Sequence, residues 1–322
     1  MIKKGIKNPE LIVAGDGTVY HLNLKKDDHV PKNILLVGDP QRAYQVADFF
    51  DAKKIIFERK NREFITLVGT YQEIPIMVIG TGIGPGNAEI VSIELHILNE
   101  YDHKNKAWRK KSPPLNIIRL GTAGSPQKNI PVGSLAISQY AISLDNINAF
   151  YPHVSSNPTV KAIQKKISQT EMAKVNPCVS EAAPEVVKSL IQGCQNIGLK
   201  QNKKGGFYCG LTCSTPGFYG PQGRRIGRVN KILIPNLQKI LEKINVNGLK
   251  IINNEMETSI IFRILGEILG YRTGSICVII ANRNKKKFIS PQEYKNSLDR
   301  CLKAGLEAIK TLDSVTKPIK DV

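Results

Sequence analysis

The sequence predicts one α/β domain on three observations. Short β-branched apolar runs alternate with amphipathic helical stretches, glycine or proline bounds most of the runs, and no internal repeat is evident. The domain is expected to take in residues 1–322, with its core from about 30 to 312. In chain order the runs Asn33–Val37, Lys54–Phe57, Phe64–Val68 and Ile74–Ile79 read as strands, and Asn87–Asn99 follows as an amphipathic helix with apolar residues three and four apart. A lysine-rich stretch over 102–114, closing on Ser-Pro-Pro, reads as a polar insertion between a helix and a strand. Strands are then expected at Asn116–Leu120 and Ser134–Ser138, a polar and partly helical segment over 157–176, and a helix at Ala183–Gln192. Phe207–Cys213 and Lys250–Asn253 are the next strands, Met256–Leu269 a helix, Ser275–Ile280 a strand and Leu302–Leu312 the last helix, before a flexible tail at 313–322.

Composition narrows the function classes. With 322 residues, 41% of them hydrophobic, the chain buries a core without staples. Residues 1–13 carry lysines but no apolar stretch with a cleavage site, and no window approaches the ~18 apolar residues of a membrane span. The expectation is a cytoplasmic protein with no membrane partner. The six cysteines include one close pair, Cys209 and Cys213, with no second pair to complete a zinc set, so they read as reduced core thiols. A net charge of +19 suits a nucleic-acid binder, but the lysines are scattered, the runs at Lys104–Lys111 and Lys285–Lys287 fall in expected loops, and no recognition motif accompanies them. No nucleic-acid partner is expected.

Chemistry concentrates at glycine-bearing strand ends, where α/β proteins collect ligands. Gly38-Asp39-Pro40-Gln41-Arg42 offers backbone N–H groups and a guanidinium fork to an anion, although a plain turn explains Gly-Asp-Pro as well. Arg119-Leu120-Gly121-Thr122 ends another apolar strand on an arginine and a threonine, and Asn61-Arg62-Glu63 supplies a third arginine. An arginine ending a buried strand has to be paired: with a bound anion, or with an internal carboxylate such as Asp39, Glu63 or Glu257. Thr81-Gly82-Ile83-Gly84-Pro85-Gly86 fits a tight strand-to-helix turn near a ligand and lacks the dinucleotide spacing. Glu255-Met256-Glu257 opens a helix, where a carboxylate serves either the macrodipole or a vicinal diol. The loop from Gly217 to Arg224 carries Phe218, Gln222 and Arg224, an aromatic ring, an amide and a guanidinium fork close together, among glycines that also suit a purely structural loop.

These motifs, with Ala281-Asn282-Arg283, occur in the order found in the uridine phosphorylase branch of the nucleoside phosphorylase family, which the chain resembles from Gly38 to Arg283. The resemblance implies a single-domain nucleoside phosphorylase fold, with a central mixed, partly barrel-like β-sheet flanked by α-helices. It implies a homodimer or hexamer whose active site is shared between subunits. Phosphate would be held by Gly38, Arg42, Arg119 and Thr122, with Arg62 reaching into the neighbouring subunit's site. His21, Thr122, Glu255, Met256 and Glu257 would bind ribose, His21 across the same interface, and Phe218, Gln222 and Arg224 the base. Arg119, Glu257 and Arg224 would carry catalysis. No organic cofactor or catalytic metal is implied, inorganic phosphate being a co-substrate; some relatives hold a monovalent cation near the residues matching Glu63 and Ile83, where Asn87 replaces the usual serine.

The implied reaction is reversible phosphorolysis of a pyrimidine nucleoside (uridine, deoxyuridine or thymidine). The rivals are a purine nucleoside phosphorylase or nucleoside hydrolase on the same fold, and a non-catalytic nucleoside or nucleic-acid binding protein. The purine enzymes of the family offer an acid where this chain has Ala281-Asn282-Arg283, and the hydrolases lack the phosphate arginines.

Overall fold

Buried strands and amphipathic helices alternate through residues 10–315, which are those the computed structural model describes. The chain divides between Ile117 and Ile118 into two compact units.

In the first unit, β1 (Asn33–Val37) is buried throughout and runs straight into α1 (Pro40–Ala47). Asp39 caps that helix, its side chain accepting from Gln41 N at 2.9 Å, with Pro40 pre-set at the first helical position. β2 (Phe57–Asn61), β3 (Phe64–Tyr71) and β4 (Ile74–Gly80) form an antiparallel meander whose last strand pairs parallel with β1, giving the order β1-β4-β3-β2. α2 (Pro85–Glu100) follows β4, and the insertion closes as a small hairpin of β5 (Tyr101–Asp102) and β6 (Ala107–Trp108).

The second unit takes all but the first two residues of β7 (Asn116–Ser125), then β8 (Leu135–Ser143), α3 (Pro158–Ser168), β9 (Cys178–Glu181), α4 (Pro184–Asn196) and β10 (Phe207–Ser214). It continues with α5 (Leu237–Lys243), β11 (Asn245–Val246), β12 (Leu249–Glu255), α6 (Thr258–Ile261), β13 (Arg272–Asn282), β14 (Lys287–Phe288) and α7 (Pro291–Val315). Its sheet runs β12-β10-β8-β13-β7, mixed parallel and antiparallel, and an added pairing of Gly124 with Asn254 joins β7 back to β12. That closure makes the expected partial barrel. Leu298, Cys301, Leu302, Leu306, Ile309 and Leu312 line the buried face of α7 at helical spacing. At Gly305 a β-carbon would stand 2.4 Å from Leu120 Cδ2, so the helix lies directly on β7.

Several expected boundaries move. The second strand lies at Phe57–Asn61 rather than Lys54–Phe57, because a 3-10 turn occupies Asp51–Lys53 and the strand is an edge carrying Glu58, Arg59 and Lys60, whose charges hide its period. The helix expected over Met256–Leu269 is only one turn of α-helix before it widens into a π-helical stretch, Phe262–Ile268. The last helix starts at Pro291 and runs through Val315, so the first residues of the expected tail are helical and the remainder lies outside the described residues. No helix among the described residues is long and apolar enough to cross a membrane.

Candidate active site

Alternation along β7 sends Leu120 towards α7 and Arg119 with Gly121 to the other face. The Arg119 guanidinium folds over Gly121, where a β-carbon would meet Nη1 at 2.0 Å. It is 5% exposed and paired: Nη2 donates to Glu257 and lies 3.2 Å from Glu255 Oε2, while Nη1 donates to Cys277 Sγ at 3.1 Å. Burial works against its charge, but the carboxylates of Glu255 and Glu257 outweigh that and hold it above the ordinary arginine value. Of the two partners weighed from sequence, an internal carboxylate is therefore present, and Glu257 is one of them. Thr122 is half-buried two residues further into the strand than Leu120.

The two glutamates do different things. Glu255 ends β12 and accepts from Ser214 Oγ, from Glu257 N at 2.9 Å and from Thr258 N at 3.0 Å, so it organises the turn into α6 as well as facing Arg119. Glu257 is the N-cap residue of α6, with its side chain on Arg119 rather than on the helix. Met256, between them, is half-buried.

Phe218, Gln222 and Arg224 come together in the loop after β10. Arg224 lies over the Phe218 ring, 4.0 Å from its centroid, and donates to Gln222 Oε1 and to Phe218 O. Gln222 Nε2 donates to Thr215 Oγ1 at 3.1 Å, and Thr215 N donates to Glu255 O at 2.9 Å, which ties the loop to the strand bearing the glutamates. Arg283 donates to Gln222 O at 2.6 Å and to Gly223 O at 3.5 Å. Burial first, then the neighbouring Arg283 charge, lowers the Arg224 value. Phe218 keeps 49% of its surface exposed. Arg283, Thr215 and Ser214 have no role assigned from sequence, and Cys277 is read there only as a core thiol; Arg283 stands inside a quoted motif, whereas the others are marked by no local pattern. Asn282 is structural: its Nδ2 donates to Gln127 O and Ile130 O at 2.8 and 2.9 Å.

In the first unit Gly38 follows β1, its α-carbon facing Gly82 O, and a β-carbon there would be 3.4 Å from that oxygen. Arg42, in the first turn of α1, is 5% exposed. His21 and Arg62 are neighbours through Tyr20 and Asn61. Arg62 takes the left-handed position, φ 54°, in the tight β2–β3 turn and donates to Tyr20 Oη at 2.9 Å while lying over its ring. Asn61 Nδ2 donates to His21 O at 2.7 Å. The buried Glu94 carboxylate accepts from His21 Nδ1 at 2.8 Å and from His21 N and Leu22 N at 2.7 Å each, which leaves Nε2 of a neutral ring as an acceptor. Glu63 and Asn87 both lie against Gly82, where a β-carbon would meet Asn87 Nδ2 at 2.5 Å and Glu63 Cγ at 3.6 Å.

Over 298 residues the chain is 27% identical to uridine phosphorylase of Thermococcus kodakarensis, covering 92% of this chain and 87% of that one. It is 23% identical to uridine phosphorylase of Escherichia coli, covering 91% and 98%. A crystal structure of a Trypanosoma brucei nucleoside phosphorylase, described as showing uridine phosphorylase activity, superposes with a TM-score of 0.86 at 33% identity, covering 93% of this chain and 99% of that chain. The model of the phosphorylase superfamily matches residues 32–312, through the strands, loops and helices that bear all of these side chains except Tyr20 and His21, and the chain belongs to that superfamily.

Proposed function

We propose that the chain is a pentosyltransferase that splits uridine with inorganic phosphate into uracil and ribose 1-phosphate. The observation that carries the reading is the base loop: an amide and a guanidinium joined over an exposed aromatic ring, with a second guanidinium behind them. Cleaving the glycosidic bond leaves negative charge on the uracil, and preorganised positive groups stabilise it as it develops. Uracil N3–H would donate to Gln222 Oε1, Arg224 would donate to a uracil carbonyl oxygen, and Phe218 would stack on the ring. Segment 281–283 contains no carboxylate to protonate a purine, which favours a pyrimidine leaving group.

At the sugar, Glu257 would accept from a ribose hydroxyl, with Met256 against the ring and Glu255 holding the turn that carries both. Arg119 and Thr122 would bind phosphate, and the Arg119–Glu257 pair links the anion to the sugar. The resemblance adds Gly38 and Arg42 to the phosphate ligands. From a neighbouring subunit it adds Arg62 on phosphate and His21, through Nε2, on the ribose 5′-hydroxyl, so the working enzyme would be a homodimer or a larger assembly of dimers. A monovalent cation, which some relatives hold near the residues matching Glu63 and Ile83, would here meet an Asn87 whose Nδ2 stands against Gly82 in place of a serine hydroxyl. The six free cysteines suit a reducing, cytoplasmic setting.

Uracil release from uridine, measured with and without phosphate and beside inosine, tests the assignment. Release only with phosphate and only from pyrimidine nucleosides is expected. Phosphate-independent release, or preference for inosine, would overturn it.

A further inference from the structure

We infer that Cys277 is a positioning residue for Arg119, fixing the guanidinium that the proposed function places on phosphate. Arg119 is long and flexible, and Gly121 beneath it supplies space without a side chain to hold it. Lateral restraint comes from β13, the neighbour of β7, where Cys277 presents Sγ 3.1 Å from Nη1. The same sulfur lies 2.8 Å from the place a Gly121 β-carbon would take, so strand, sulfur and guanidinium share one closely filled space. Glu257 and Glu255 hold the other nitrogen, Nη2.

The choice of sulfur has a chemical reason. Arg119 already faces two carboxylates, and a third anionic acceptor would repel the phosphate it is to bind. Cys277 is wholly buried, and burial pushes its thiol value up against the pull of Arg119, so the group remains neutral. A neutral thiol accepts from Nη1 without adding negative charge, and its own proton can turn to Ser275 Oγ, 4.0 Å away. Ser275 Oγ is in turn 3.0 Å from Thr258 Oγ1, the residue after Glu257. Orientation of Arg119 is thereby coupled to the turn that carries the ribose carboxylate.

The inference rests on Arg119 being a phosphate ligand, and the test separates the two claims. Steady-state kinetics with phosphate and uridine varied independently, together with thermal midpoints, would be measured for the wild type, Cys277→Ala, Cys277→Ser and Arg119→Lys. In Cys277→Ala, loss of the contact should raise the phosphate KM roughly five- to tenfold, with the uridine KM and the midpoint near those of the wild type. Cys277→Ser, which keeps a neutral acceptor, should recover most of the difference. A phosphate KM unchanged in Cys277→Ala but raised in Arg119→Lys overturns the positioning role alone. If neither variant moves it, the phosphate assignment of Arg119 falls instead. A drop in midpoint with no selective change in phosphate KM would make the thiol core packing only, and equally overturn the inference.

Discussion

A buried arginine between two glutamates behaves differently from an arginine that meets only substrate. Removing Arg119 as Arg119→Ala leaves two buried carboxylates without their cation, which costs about 3–5 kcal/mol of stability in addition to the proposed phosphate contact. The expected outcome is loss of phosphorolysis together with a lowered thermal midpoint. Arg224 is the contrast. It is half-buried, rests on an exposed ring and donates to neighbours within its own loop, so Arg224→Ala gives up a cation–π contact worth about 0.5–1 kcal/mol. Its kcat/KM on uridine should nevertheless fall about a hundredfold, since a charge-assisted contact to the leaving group acts mainly in the transition state. Parallel kinetics and thermal melts of the two variants check both, and a melt as badly affected by Arg224→Ala as by Arg119→Ala would make the base loop a structural element.

Strand alternation and helix shape explain how the chemistry is carried. Gly121→Ala would drive a methyl group into Arg119 Nη1 and Cys277 Sγ, and an overpacked site costs about 1–3 kcal/mol. Because the guanidinium is the atom group that must move, phosphate KM is expected to rise at least about tenfold. A wild-type phosphate KM in this variant would count against the described strand face. The π-helical stretch after α6 buries a close contact of its own, Arg263 Nη1 with Glu267 Oε2 at 2.7 Å. Burial pushes the Glu267 carboxyl up to about 7, against the opposing pull of Arg263, from an ordinary 4.5. Between those two values the folded protein holds a proton that the unfolded chain lacks, so this group's contribution to stability declines as pH rises through the window. Thermal midpoints of the wild type and Glu267→Gln followed from pH 4.5 to 7 should show a flatter profile in the variant. Identical profiles would remove Glu267 as the source.

At the scale of the whole molecule, His21 and Arg62 sit together on one small cluster of Tyr20, Asn61 and Glu94, the two residues expected to serve a neighbouring subunit. If they do, an Arg62→Ala chain damages its partner's site and an Arg224→Ala chain damages its own. Refolding the two inactive variants together would then restore about a quarter of the sites, because a mixed dimer places both lesions in one site and leaves the other intact. Activity that stays at the level of the separate variants would mean that Arg62 does not act across an interface. How much of this was legible in the sequence depended on locality. Phe218, Gln222 and Arg224 lie within one loop, as do Glu255, Met256 and Glu257 at one helix start, and both sets could be given roles through the resemblance to the phosphorylase family. Cys277 and Arg283 could not, because their partners are 158 and 61 residues away. The edge strand Phe57–Asn61 was misplaced since its charged residues serve to blunt an edge and carry no burial period.

By itself the sequence determined the α/β class, the order of the strands that end in glycine, and the residue types gathered at those ends, because burial periodicity and turn chemistry are local properties of the chain. Tertiary structure decided who pairs with whom: that β7 closes back on β12, that the charge of Arg119 is balanced by Glu255 and Glu257, and that a thiol from β13 stands against it. Those facts depend on strand register and on which side chains share a face across a sheet, and register is set by the packing of all the strands together rather than by any one of them.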